Sequence, residues 1–391
     1  MPRFSYILSK SSQPVSHRSK IWNAPLPMDR SQFTGGATPT AASVSYKDYF
    51  QAVRMFLERN HYADLMQAAA VRLKRTVALK EIREVRVCLE KHGQFYHPAR
   101  VRVIGDEFSI PFVLNVALSP TGKEWIEAEY HTIRKLITDY GGDYLPEVYA
   151  FGEVPLKDKG GCLPMFLGRW FEGFNEFHLS RDPETGQHRI VVWDYQGGDF
   201  FLTTVQAVNL FREAAKILTF YYDPETFEQI FSWHHAAGDF VLKLDQDQVS
   251  VRLITARQYL KLFKQTNAVE KKATVALKAL LIFFLYLSIR MRLDRLDGTG
   301  PVVWLGQEAL IGTLYGFFEA VEQKPPLQML PVPITDGFRA YLQVLTQKDL
   351  LGLANDIAAT YPPASPDLPT IKTHLAQHAA DLYRLIHTGR I

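Results

Sequence analysis

The order of hydrophobic periods constrains this chain most. Glu84-Val85-Arg86-Val87-Cys88-Leu89 and Ala99-Arg100-Val101-Arg102-Val103 alternate polar and apolar residues for most of their length. That is the period of half-buried strands, and Lys91-His92-Gly93-Gln94 between them predicts an antiparallel pair. Phe112–Leu118 reads as a third, more buried strand. Ser119-Pro120-Thr121-Gly122 breaks it, Glu124–Tyr140 is a helix, and Gly141-Gly142 stops that helix. Two apolar strands follow, near Glu147–Val154 and Pro164–Trp170. Beyond them the pattern is mostly helical, with helices predicted at Val205–Tyr222, Glu270–Leu296, Gly306–Val321, Thr335–Thr346 and Thr370–Ile386. Pro-rich stretches at Lys324–Pro333 and Tyr361–Pro369 connect the later ones. A strand-rich block followed by a helical one predicts an α+β chain.

At 391 residues the chain suits two lobes. Residues 1–44 are rich in Ser, Thr, Pro and Gly and read as a poorly ordered arm. Residues 45–82 form a helical extension, 83–168 a sheet lobe, and 169–391 a helical lobe with an inserted hairpin at 182–203, built from Ile190–Trp193 and Phe200–Thr203. Lys plus Arg number 44 and Asp plus Glu 41, a net charge of +3, too even to argue for nucleic acid or an anionic membrane. Cys88 and Cys162 give neither a disulfide framework nor zinc-ligand spacing, which favours a reducing, cytoplasmic setting. Arg3, Lys10, Arg18 and Lys20, among serines, resemble a transit peptide in composition, and an unstructured leader is the plainer account. The apolar run Ala279–Ile289 is about half the ~20 residues a bilayer span needs, so it reads as a buried core helix.

The segment Phe231-Ser232-Trp233-His234-His235-Ala236-Ala237-Gly238-Asp239-Phe240-Val241-Leu242 follows a long helix. It precedes two alternating stretches, Phe240–Leu244 and Val249–Ile254, joined by Asp245-Gln246-Asp247-Gln248. Helix, polar loop and hairpin in this order resemble the catalytic loop and metal-binding hairpin of the protein kinase-like superfamily, nearest in layout to its aminoglycoside and choline phosphotransferase branch. The resemblance spans roughly residues 83–300. It implies a kinase-like two-lobe fold, a small antiparallel-sheet N-terminal lobe and a larger helical C-terminal lobe, with ATP and Mg2+ as cofactors bound in a cleft between them.

By that resemblance His234 falls at the catalytic Asp position and Asp239 at the metal-binding Asn position. Thr255 stands where a second metal-binding Asp belongs, and Glu129 matches the helix glutamate that pairs with a phosphate-binding lysine. The third strand, Val113-Leu114-Asn115-Val116-Ala117, has no such lysine, and the phosphate loop offers only Gly93. Trp170 and Glu172, within Arg169-Trp170-Phe171-Glu172-Gly173, match the linker where an adenine would sit. A rival register makes Gly238-Asp239 the catalytic pair and Asp245 a metal ligand. Without the lysine and the second carboxylate, stabilisation of a transferring phosphoryl group is largely missing. A degenerate phosphotransfer site in a ligand-binding or regulatory module is therefore the first expectation. An atypical phosphotransferase acting on a small hydroxylated substrate, with His234 or Asp239 as base, is the alternative; a scaffold that captures a protein through 182–203 is the third.

Each candidate also has a plainer role. His234 and His235 could be base and neighbour, or pack and cap their loop. Asp239 could bind a metal or accept backbone N–H bonds in a turn. Arg257 could contact an anion or form an ion pair. His374 and His378, four apart on a helix, could share a metal, although a solvated or interfacial helix explains them as well.

Overall fold

The computed structural model describes residues 1–9, 14–27, 43–93, 95–156, 160–194, 197–231, 233–262 and 272–388. Lys10, Gln94, Ser232 and residues 270–271, all named above, lie outside them. The chain is α+β and divides into two compact units, Met1–Gly141 with Pro146–Glu172, and Gly142–Leu145 with Gly173–Ile391. The later cut falls between Glu172 and Gly173.

The first unit holds β1 (Arg3–Leu8), α1 (Tyr46–Leu73), β2 (Glu84–Leu89), β3 (Ala99–Ile104), β4 (Ser109–Val116), α2 (Pro120–Tyr140), β5 (Val148–Pro155) and β6 (Cys162–Arg169). Its six strands run in the order β1-β2-β3-β4-β6-β5. All pairs are antiparallel except β1 with β2, so the sheet is mixed rather than purely antiparallel. Residues 3–8, expected in a poorly ordered arm, form that added edge strand, and Trp22 and Leu26 from the same stretch are buried.

Strand alternation sorts the two sheet faces. Val85, Val87, Val101, Phe112, Leu114 and Met165 meet the apolar stripe of α1, with Tyr49, Phe50, Val53 and Phe56 in one core. Phe166 turns to the other face, where Tyr130 of α2 lies 6.1 Å away ring to ring. Two helical stretches make up α1, separated by Arg59–Tyr62; Asn60, His61 and Tyr62 all have positive φ, a strained run for non-glycine residues. Ser119-Pro120-Thr121-Gly122 starts α2 instead of breaking the chain before it. The Ser119 side chain accepts the Gly122 N–H, and Pro120 takes a first-turn position that needs no donor.

The second unit begins with a three-stranded sheet, β7 (Glu176–Arg181), β8 (His188–Trp193) and β9 (Phe200–Phe201). The hairpin expected at 182–203 is thus the outer part of a sheet whose first strand, β7, escaped prediction, and Thr203 belongs to the next helix as its N-cap. Then come α3 (Thr204–Phe220), β10 (Glu228–Phe231), α4 (Ala236–Asp239), β11 (Phe240–Asp245), β12 (Gln248–Leu253) and β13 (Gln258–Lys261). β11 and β12 form a hairpin, and β13 returns to pair with β10. The rival register, which needed 240–244 as a catalytic loop, is overturned by β11.

The remainder comprises α5 (Lys272–Arg290), β14 (Leu293–Arg295), β15 (Val302–Trp304), α6 (Gln307–Glu322), α7 (Ile334–Gln343), α8 (Gln347–Ala359) and α9 (Leu368–His387). Of these α8 and the β14–β15 pair were not anticipated. Among the described residues α5 is the one helix long and apolar enough to cross a membrane, and most of its surface is buried within the unit. Helices α3 and α6 approach closely because Gly312 and Gly316 present no side chain. A Cβ at Gly316 would sit 1.9 Å from the Arg212 carbonyl oxygen.

Candidate functional site

The loop between β10 and β11 is held by long-range polar contacts. Arg290, the last residue of α5, donates through Nη1 to the carbonyls of Trp233 and His234, the latter at 3.2 Å. Its Nε donates to the Tyr361 hydroxyl at 3.1 Å, and the guanidinium lies 4.9 Å from the Tyr286 ring centroid. One arginine thus fixes two successive carbonyls that no regular element satisfies.

The same loop closes on Asp239, which is 1% exposed. Its Oδ2 accepts the His234 N–H, its Oδ1 accepts from Arg257 Nη2 at 3.1 Å, and its carbonyl accepts the Ile254 N–H at 2.9 Å. The Asp239–Arg257 pair is buried on both sides, so each charge compensates the other's desolvation. Of the alternatives left open by sequence, Arg257 takes the ion pair and Asp239 the turn carboxylate.

His235 sits just before α4, 6% exposed, in an extended conformation. Its Nε2 lies 3.2 Å from Oδ1 of Asp367, which is 3% exposed at the start of α9. Successive side chains of extended backbone ordinarily diverge. Even so, the ring centroids of His234 and His235 are only 5.4 Å apart, and one ligand atom each from His234, His235 and Asp367 lies within 4.8 Å of the others. Burial alone would push the Asp367 carboxyl up. The His235 hydrogen bond and the positive charge of His235, His234 and Arg290 outweigh it and hold the group below its usual range. The His234 ring reaches solvent, but protein crowds it closely enough that desolvation lowers its pKa, with Asp239 opposing and His235 and Arg290 reinforcing the shift.

The residues present do not fit Mg2+ bound with ATP. Arg257 stands where a cation would approach Asp239 Oδ1. Thr255 is buried and brings a hydroxyl, not a carboxylate. Asp245 closes the far end of β11, six residues on, roughly 20 Å along the strand, so Asp239 and Asp245 cannot share one ion. In the first unit, Glu129 is fully buried and accepts from the Tyr96 hydroxyl at 2.6 Å, where the resemblance would have placed a lysine. Arg102 Nη2 donates to Glu172 at 3.0 Å, and the Arg100 guanidinium lies 5.5 Å from the Trp170 ring centroid.

His374 and His378 flank Trp304 rather than a common metal. His374 stacks on that indole at 5.2 Å and donates from Nδ1 to the Thr370 carbonyl, while His378 is wholly buried beside the Ser288 hydroxyl. Two surface depressions lie away from the loop. One, of about 450 Å³, is bordered by Tyr6, Trp22 and Arg54; the other, of about 290 Å³, by Gln307, Asp381 and Arg384. Arg54 is already bound to Glu58, and Asp381 to Arg384 and Gln307.

Sequence reasoning missed Asp367 and Arg290. Each is far from the loop in sequence, by 132 residues for His235–Asp367 and 57 for Arg290–Trp233. The only local signal was Asp367 just ahead of Leu368-Pro369, a helix-start signature. No protein-family model matches the chain, and a search of curated proteins returns no match.

Proposed function

We propose that this chain is a kinase-like-fold protein whose phosphotransfer site has become a structural lock, leaving a ligand-binding or regulatory module that does not depend on Mg2+. Element order supports the fold half of this reading. Strands β2, β3 and β4, helix α2, and strands β5 and β6, arranged β2-β3-β4-β6-β5, follow the N-terminal lobe order that the resemblance implies. The succession β10, loop, β11–β12 hairpin and β13 paired back to β10 follows the catalytic region. The observation that carries the functional half is Asp239. At the position where the resemblance calls for a metal ligand, a buried carboxylate spends both oxygens on Arg257 and the His234 N–H.

Thermal unfolding with ATP, with and without Mg2+, tests this. The expected result is a midpoint that Mg2+–ATP raises no more than ATP alone. A Mg2+-dependent rise that Asp239→Asn removes would overturn the reading in favour of an atypical phosphotransferase, since a ligand bound only to the native state stabilises it by mass action. Arg257→Ala completes the test: with its counter-charge gone, Asp239 is left buried and unpaired, and the unfolding free energy should fall by about 3 kcal/mol.

A further inference from the structure

We propose that His234, His235 and Asp367 bind a divalent transition-metal ion, Zn2+ foremost, which pins the loop at 233–239 to the start of α9. Three donors of the right kind converge from segments far apart in sequence, each within 4.8 Å of the others. Zinc holds nitrogen and oxygen ligands at ~2.0–2.2 Å in a tetrahedron, which sets donors about 3.3–3.5 Å apart. His235 Nε2 and Asp367 Oδ1 already stand at 3.2 Å. Only His234 has to close, and it is the exposed member.

The His234 ring and the second Asp367 oxygen are also uncommitted. Among the described residues neither ring nitrogen of His234 is hydrogen-bonded, and no donor reaches Asp367 Oδ2. A buried carboxylate with an unclaimed oxygen beside an unclaimed imidazole is an unusual expense for a fold unless something else completes it.

Two imidazoles and one carboxylate select a borderline ion. Zn2+, Co2+ and Ni2+ fit, whereas Mg2+ and Ca2+ prefer all-oxygen shells. The exposed side of His234 leaves the fourth position to water. Arg290 works against a dication, since its charge acts on both Asp367 and His234. That places the site among moderate-affinity ones and makes it separable from the kinase-like reading, which concerns Asp239.

The test uses the tag-free full chain, stripped with chelator and titrated with Zn2+ alone, Co2+ alone and Mg2+ alone by calorimetry and visible absorption. We expect one equivalent of Zn2+, a Co2+ absorption band of low-coordinate character, and no Mg2+ heat. His234→Ala, at an exposed position that leaves folding intact, should weaken Zn2+ binding at least tenfold, as should Asp367→Asn. Absence of stoichiometric binding, or binding that both variants retain, would overturn the proposal.

Discussion

Among its described residues the second unit contains two buried His–Asp pairs that look alike on paper and differ in how completely they are satisfied. His178 Nδ1 lies 3.3 Å from Asp294 Oδ1, and His235 Nε2 lies 3.2 Å from Asp367 Oδ1. Both bring together residues more than a hundred positions apart. Asp294, however, also accepts the Leu179 N–H at 2.6 Å and the Arg295 N–H at 2.7 Å. Its partner ring packs on Trp193 at 4.5 Å. Among the described residues Asp367 has no such backbone donors on its carboxylate, and its partner ring faces a second, exposed imidazole. The first pair uses all its capacity to fasten β7 onto β14. The second holds capacity in reserve, which is what a binding site requires and a structural clasp does not.

The largest effect should come from breaking the saturated pair. Asp294→Ala strands a buried N–H, a half-buried N–H and a buried imidazole at once, and we expect a loss of about 4 kcal/mol in urea-induced unfolding. Asp367→Ala frees a single ring and should cost clearly less. Equal losses would erase the distinction between the two pairs.

A third buried histidine sharpens the comparison through pH. The Ser288 hydroxyl donates to the Leu285 carbonyl, so it accepts from His378 Nε2, while His378 Nδ1 is buried without a partner. Burial, reinforced by the Arg292 charge and opposed by Asp381, pushes this imidazole down to about 3. Its folded pKa lies below the unfolded value, so the unfolded chain binds an extra proton between about pH 6.5 and 3. Stability from this group is complete above 6.5 and drains as pH falls, by up to ~1.4 kcal/mol per unit. His234 shifts the same way. His378→Gln can keep the Ser288 contact without titrating, and should flatten the acid limb of the urea midpoint between pH 6.5 and 4. An unchanged slope would mean that His378 is not the group that senses acid.

Which of these features could be read from the sequence follows from how far apart the partners lie. Alternation at Glu84–Leu89 and Ala99–Val103, the α2 periodicity and the loop-hairpin at 231–254 are local signals, and the structure reproduces them. Strand β1 was hidden because Arg3–Leu8 belongs to a short edge strand whose pairing to β2 is parallel and distant. Strand β7 was hidden because its partners, β8 and Asp294, are supplied later in the chain. At the site, His234 and Asp239 stood out through the resemblance of their loop and hairpin to those of the kinase-like superfamily. Asp239's true partner, Arg257, was named with an ion pair among its readings but without the partner, and Asp367 was invisible because a lone acid before a helix is ordinary capping chemistry. Local periods reveal elements; a site assembled across 132 residues has no period.

The smallest effect gives the finest test of the contrast, and it applies one isosteric change at both positions. Asp367→Asn keeps the shape, and its amide oxygen can still meet His235, so removing the charge should cost only about 1 kcal/mol at neutral pH. Because the Asp367 pKa is held below its unfolded value, that contribution is present above the usual carboxylate range and lost as pH falls through the folded pKa. The variant and the parent should therefore converge in strong acid. Asp294→Asn faces a different geometry. Whichever way its amide turns, the NH2 group meets a backbone N–H from Leu179 or Arg295, a donor against a donor, and the loss should be several-fold larger. Matching losses at the two sites, measured by urea unfolding at pH 7, would show that Asp367 is as fully engaged as Asp294 and would remove the reserve capacity on which the metal site rests.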